Sequence, residues 1–344
     1  MPMTYAEPVA VTGTTSPRLS FATVVLIAAF SIIVIYCTSW SLHTIDASSG
    51  TVAGNMSMSE YRDMLAGVAG FPYQWRMLGS YVVFLGERAT GLSAHQVDLA
   101  VKTLCLITST IVLFLFSRWY TSESGAYGVI GFYLLLTVAG FIGEQYRIYF
   151  TNDYLMVACW FGAVYLIRAE RYLPAALLTF VGAWAKETML LVLILLAFEA
   201  IRSRRARVAL VVTVVAFAVP QIVLRTIYPA PFVKWAWWDM VFANVPFLQR
   251  SMYEFSLTIK NNIKVALFYN VFWIWAARRA LTIEDRFARH LAATALAYLM
   301  LAYPVIYIRE LRHFLPLAIV VLPLAFNAIE QRQAGPGSPA RRMS

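Results

Sequence analysis

The sequence predicts an all-α polytopic membrane protein, a bundle of about ten transmembrane helices with two long outer loops. Three observations lead there. Hydrophobic residues make up 60% of the chain and charged residues only 13%, with a mean hydropathy of +0.65, against roughly 45–50% apolar in soluble domains. Apolar runs bounded by charge recur near 21–41, 97–117, 124–143, 154–168, 172–185, 187–201, 208–225, 263–277, 290–308 and 314–329. The basic residues behind the net charge of +10 stand at the ends of these runs, where the positive-inside rule places them. That assigns the charge to topology and membrane lipids rather than to nucleic acid.

Taken in order, the tail before Phe21 lacks the basic start and small-residue cleavage site of a signal peptide, so Phe21–Ser41 reads as a retained first span. Residues 42–76 form the first outer loop, with a flexible "DASSGTVAGNMSMS" and a helix-like "EYRDMLAGVAG". Met77–Gly91 is too short and interrupted to span and reads as an interfacial or re-entrant helix. Asp98 and Lys102 open the next span at i and i+4, the spacing of a structural pair. The apolar stretch Leu173–Ile201 carries Lys186 and Glu187 side by side, each costing roughly 2.5–3.5 kcal/mol at the centre of a bilayer. A single long helix would also put the "RSRRAR" cluster at 202–207 on the side opposite Arg168 and Arg171. A hairpin turning at Lys186–Glu187 resolves both problems. Its arms are shorter than a full crossing, which sets the two charges in a protein-lined or water-filled recess.

The second outer loop, 226–262, contains "YPAPFVKWAWWDMVF". Such aromatic density most commonly marks an interfacial belt, the sharper alternative being a lid over an acyl or isoprenoid chain. Residues 1–330 form one transmembrane domain, and 331–344 a disordered basic cytoplasmic tail. Cys37, Cys105 and Cys159 show neither disulfide nor zinc spacing, and no metal site is assigned.

With both termini cytoplasmic, the outer side collects Asp46, Arg76, Glu144, Arg147, Asn152, Asp153, Lys186, Glu187, Arg225, Arg309, Glu310, Arg312 and His313. The inner ends carry mostly lone arginines. Ionisable groups at span ends are functional candidates because lipid does not tolerate them unpaired. In a helical continuation Arg309, Arg312 and His313 fall at i, i+3 and i+4 and converge on one anionic group. Arginine's planar fork fits a phosphate, with Lys186 adding a point charge. Headgroup snorkelling is the competing use, weighing most at Arg225. Glu144 and Arg147 are spaced to pair with each other, and Lys186–Glu187 could form an internal ion pair fixing the hairpin.

This layout resembles the GT-C-type membrane glycosyltransferases, polytopic enzymes that take a sugar from a polyprenyl-phosphate carrier at an extracytoplasmic site. The resemblance rests on Asp46, five residues beyond Ser41 where that family places an acid in its first outer loop, and on the basic residues Lys186, Arg309 and Arg312 at outer span ends. The "FPYQWRML" element containing Arg76 resembles an F-x-Y-x-x-R-x-L element of bacterial polytopic proteins. One acid stands where a pair is common. The resemblance implies Asp46 alone as catalytic base or metal ligand, and the reading of the outer polar groups adds Arg76, Lys186, Glu187, Arg309, Arg312 and His313 as substrate-binding candidates. A polyprenyl-phosphate-linked sugar is the implied partner, and a divalent cation is compatible but not required. A multi-pass inner-membrane location follows. The alternatives are a transporter or flippase of an anionic lipid-linked substrate and a non-catalytic membrane subunit. No repeated halves favour the former.

Overall fold

The computed structural model describes residues 19–49, 76–142, 150–201, 203–227, 252–302 and 311–333. Most of both long loops, Glu144, Arg147, Arg309, Glu310 and the segment after 333 lie outside the described residues. Among the described residues there are twelve α-helices and no strand. They are α1 (Phe21–Ser49), α2 (Leu78–Thr90), α3 (Ala94–Ser117), α4 (Glu123–Ile142), α5 (Phe150–Arg168), α6 (Tyr172–Ala185), α7 (Leu190–Ala200), α8 (Arg204–Ile227), α9 (Met252–Tyr269), α10 (Phe272–Thr282), α11 (Arg286–Ala302) and α12 (Ala318–Gln333). Short 3₁₀ turns at Glu187–Met189 and Leu311–Leu317 precede α7 and α12.

Among the described residues, five segments are long and apolar enough to cross a membrane: Phe21–Thr38, Ala94–Ser117, Glu123–Phe141, Arg204–Ile227 and Leu311–Gln333. Their surroundings invert the soluble pattern. Along α8, Val208, Val211, Val215 and Ile222 face outward, with Val211 65% exposed, while Asp98, Asn152, Asp153, Lys186 and Arg312 are buried. Apolar groups outside and charged groups inside are stable only where the outside is lipid. This is a membrane protein.

Charge and packing divide the bundle into two ends. Glu330 of α12 accepts from the Ser122 amide at 3.0 Å, and Arg168 pairs with Asp285 at 2.5 Å, at one end. At the other, the rings of Phe141 and Tyr154 stack at 4.6 Å and join the close of α4 to the start of α5. The hairpin expected at Lys186–Glu187 is present. Tyr172, at the start of α6, and Glu199, near the end of α7, line one pocket at the Arg168 end, so the chain runs out and back. Lys186 is the extended residue between the arms, with φ −163° and ψ 142°. Gly182 permits the tight return, since a Cβ there would stand 2.8 Å from Met189 and 2.9 Å from Cys159.

Four expectations are corrected. The apolar run 263–277 is not one span: Asn270 adopts φ 49° and divides α9 from α10, because asparagine tolerates the left-handed region better than most residues. Part of the second outer loop is helical too, as α9 begins at Met252. Asp46 does not stand in a loop, since the α1 backbone stays helical to Ser49. No glycine or proline interrupts that stretch before Gly50. At the other terminus, α12 continues to Gln333 and takes in the first residues assigned to the tail.

Candidate functional site

The charged end is built around Asp153, one turn into α5. Its Oδ1 accepts from Lys186 Nζ at 2.5 Å, and Arg312 Nε lies 3.2 Å from its Oδ2. Lys186 Nζ also stands 3.1 Å from His313 Nδ1. Lys186 and Arg312 are each 3% exposed at the side chain, which makes this a buried network. One carboxylate there faces two basic side chains.

Lys186 and Glu187 do not pair with each other. Glu187 turns to Arg76 instead, taking Nη2 at 2.5 Å and Nε at 3.3 Å in a two-pronged contact. Arg76 is held by its own backbone: Asn152 Nδ2 donates to the Arg76 carbonyl at 2.8 Å, and Asn152 Oδ1 accepts from the Gly79 amide at 2.8 Å. Asn152 thus satisfies a free donor in the first turn of α2. A Cβ on Gly79 would come within 2.9 Å of that oxygen, so glycine is required. The neighbouring pair is structural as its spacing predicts: Lys102 donates to Asp98 Oδ2 at 2.5 Å, and Thr151 donates to Oδ1.

The Leu311–Leu317 turn is the most demanding element, because irregular backbone inside a membrane must satisfy its polar groups within the protein. Three buried side chains do so. Tyr298 of α11 donates to the His313 carbonyl at 2.7 Å, Tyr269 of α9 to that of Phe314 at 2.8 Å, and Trp160 of α5 to that of Pro316 at 2.8 Å. These bonds fix Arg312 and His313 against Asp153. The turn is 3₁₀ from Leu311 to Leu317, and the convergence expected of Arg309 with Arg312 and His313 falls on Arg309, outside the described residues. Pro316 interrupts the α pattern. On the other flank, Gln221 Nε2 donates to the Ala183 carbonyl at 2.7 Å, capping the end of α6 just before Lys186. Arg225 in turn donates to Gln221 Oε1 at 2.5 Å.

Beside the network lies an open apolar groove of about 420 Å³, lined by Val265, Trp273, Leu299, Met300 and Phe314, with Asn262 its one polar side chain. Phe314 follows His313 directly, so groove and charge network share one turn.

The structure therefore brings together Arg76, Lys186, Glu187, Arg312 and His313 from the sequence-based set. Asp46 belongs to the last turn of α1, and Arg309 lies outside the described residues. Sequence reasoning placed Asp153 among the outer polar groups but not in the site, although it is the network's centre. No group of three or more His, Cys, Asp or Glu that could hold a metal occurs among the described residues. No protein-family model, curated protein or solved structure matches this chain.

Proposed function

We propose that this protein is a glycosyltransferase of about ten spans in the inner membrane, moving a sugar from a polyprenyl-phosphate carrier to an acceptor on the extracytoplasmic face. The observation that carries this reading is a buried cluster of basic groups: among the described residues, Arg76, Lys186 and Arg312 gather around Asp153 and Glu187. Such a cluster suits a phosphate. The adjoining groove gives an isoprenoid chain an apolar path beginning at the same turn. In the reaction, the acceptor oxygen forms its bond to the anomeric carbon as the bond from that carbon to the phosphate oxygen breaks. The acceptor proton passes to a carboxylate, and the departing lipid phosphate is stabilised by the cations.

Binding of a fluorescent polyprenyl phosphate to the purified chain tests the reading. Arg312→Lys replaces a fork with a point charge and is expected to weaken binding about tenfold. Unchanged binding in an Arg309/Arg312 double alanine variant would sink the proposal. Orientation is checked separately. In a background free of Cys37, Cys105 and Cys159, Thr188→Cys is expected to react with an impermeant thiol reagent outside intact cells. Modification only after the reagent enters the cytoplasm would reverse the topology.

A further inference from the structure

The opposite end of the bundle holds a second charged pocket that glycosyl transfer does not use. It measures about 310 Å³ and is formed by the turn between α5 and α6, the end of α7 and the start of α11. Arg168, Glu170, Glu199, Asp285 and Arg286 contribute its charges beside Ile167 and Phe287. Three of those charges are committed. Arg168 Nη2 donates to Asp285 Oδ2 at 2.5 Å, and Glu199 Oε1 lies 2.7 Å from His290 Nδ1. Asp285 is occupied further by the Ala288 amide, at 3.1 Å.

The other two are not. Arg286 makes a single long contact, Nε to His290 Nε2 at 3.5 Å. The Glu170 carboxylate makes no hydrogen bond or ion pair with any described residue. Glu170 itself stands at φ 55° as the left-handed cap of α5, its amide bonding to the Ile167 carbonyl at 3.0 Å and that of Arg171 to Leu166 at 2.8 Å. One cation and one anion thus stand in one pocket without pairing to each other. The complement is a ligand that carries both signs.

The pocket's surroundings point to a lipid rather than a solute. Tyr172 lines it, and from the next residue Leu173, Leu177 and Val181 run down α6 at i, i+4 and i+8, facing outward with Leu173 76% exposed and Leu177 63% exposed. That stripe begins at the pocket and continues along the membrane-facing side of the helix. We propose that the pocket holds the phosphoethanolamine headgroup of a membrane phospholipid. Its phosphate rests on Arg286, its ammonium on Glu170, and its acyl chains lie along Leu173, Leu177 and Val181. A primary ammonium donates hydrogen bonds to a carboxylate, which the quaternary nitrogen of a choline headgroup cannot do. A glycerol headgroup leaves the Glu170 carboxylate without a cation.

Native mass spectrometry of the full chain, purified in mild detergent with equimolar phosphatidylethanolamine, phosphatidylcholine and phosphatidylglycerol, tests this. Phosphatidylethanolamine is expected to be retained about tenfold over the other two. Glu170→Gln keeps the size of an exposed turn residue and is expected to abolish that preference without changing the melting temperature. Arg286→Gln is expected to lower retention of all three. Equal retention by the unmodified chain, or an undiminished preference in Glu170→Gln, would overturn the proposal. Displacement of the bound lipid by equimolar free phosphoethanolamine would assign the pocket to a soluble ligand and overturn it as well.

Discussion

Asp153→Leu is expected to destabilise the protein by about 3–5 kcal/mol, the range for removing one partner of a buried ion pair. Among the described residues, Asp153 is the carboxylate between Lys186 and Arg312, both nearly inaccessible, with His313 beside the lysine nitrogen. Taking it away leaves like charges together inside apolar helices, and the leucine cannot accept a hydrogen bond from either. The attraction lost is only part of the effect, because the stranded cations keep their desolvation penalty. A second substitution separates these contributions. Lys186→Met in the Asp153→Leu background removes one stranded charge and is expected to recover part of the loss, a coupling of about 0.5–3 kcal/mol. Thermal unfolding of the purified chain in detergent reads both effects. A loss below about 1 kcal/mol for Asp153→Leu would mean that water reaches the network and screens it as it screens surface pairs.

Lys186 also illustrates what a sequence can reveal about such a protein. A charge inside an apolar run has to be explained, and the constraint that "RSRRAR" share a side with Arg168 and Arg171 was enough to predict the hairpin. The long runs of α3 and α8 were equally legible, since each is a continuous apolar stretch ending in charge. The division between α9 and α10 was not, because Asn270 sits in a run whose hydropathy is uninterrupted. Composition measures transfer into lipid and is silent on backbone dihedrals. The 3₁₀ turn at Leu311–Leu317 left one local signal, Pro316, whose ring disfavours helical geometry in the residue before it.

Partnerships were the least legible part. The i, i+4 pair Asp98–Lys102 could be read because both partners lie on one helix. Asp153 meets Lys186 across 33 positions of sequence and Arg312 across 159, and Glu187 meets Arg76 across 111. No periodicity encodes contacts of that separation. What the sequence carried was the gathering of these groups at one end of the spans, which the structure reproduces while exchanging the partners expected of Lys186 and Glu187.

On the proposed function, Asp46→Asn is expected to reduce glycosyl transfer by about 10²–10⁴-fold, the usual contribution of a general base, while leaving abundance and carrier binding unchanged. The chain geometry gives the residue its place. Near the start of α1, Thr23 exchanges a hydrogen bond with Tyr127 at 2.7 Å, and Tyr127 lies in the first turns of α4 beside the Glu330 end. Asp46 is 23 residues further on, a rise of about 35 Å along a continuous helix, against a hydrocarbon core of about 30 Å. The last turn of α1 therefore belongs to the same end as Asp153, Lys186 and Arg312, just beyond the depth of a span. A carboxylate there can take a proton from a water-soluble acceptor while the cations hold the lipid phosphate, a division of labour that needs the base nearer to water than the phosphate clamp. Asparagine keeps the size and much of the hydrogen bonding of aspartate and removes only the charge and the capacity to accept a proton. Product formation would be compared at equal protein level, with polyprenyl phosphate binding measured on the same preparations. Lost transfer with intact binding assigns Asp46 to the chemical step. Undiminished transfer removes it from the mechanism and passes the role of base to a carboxylate of the buried network.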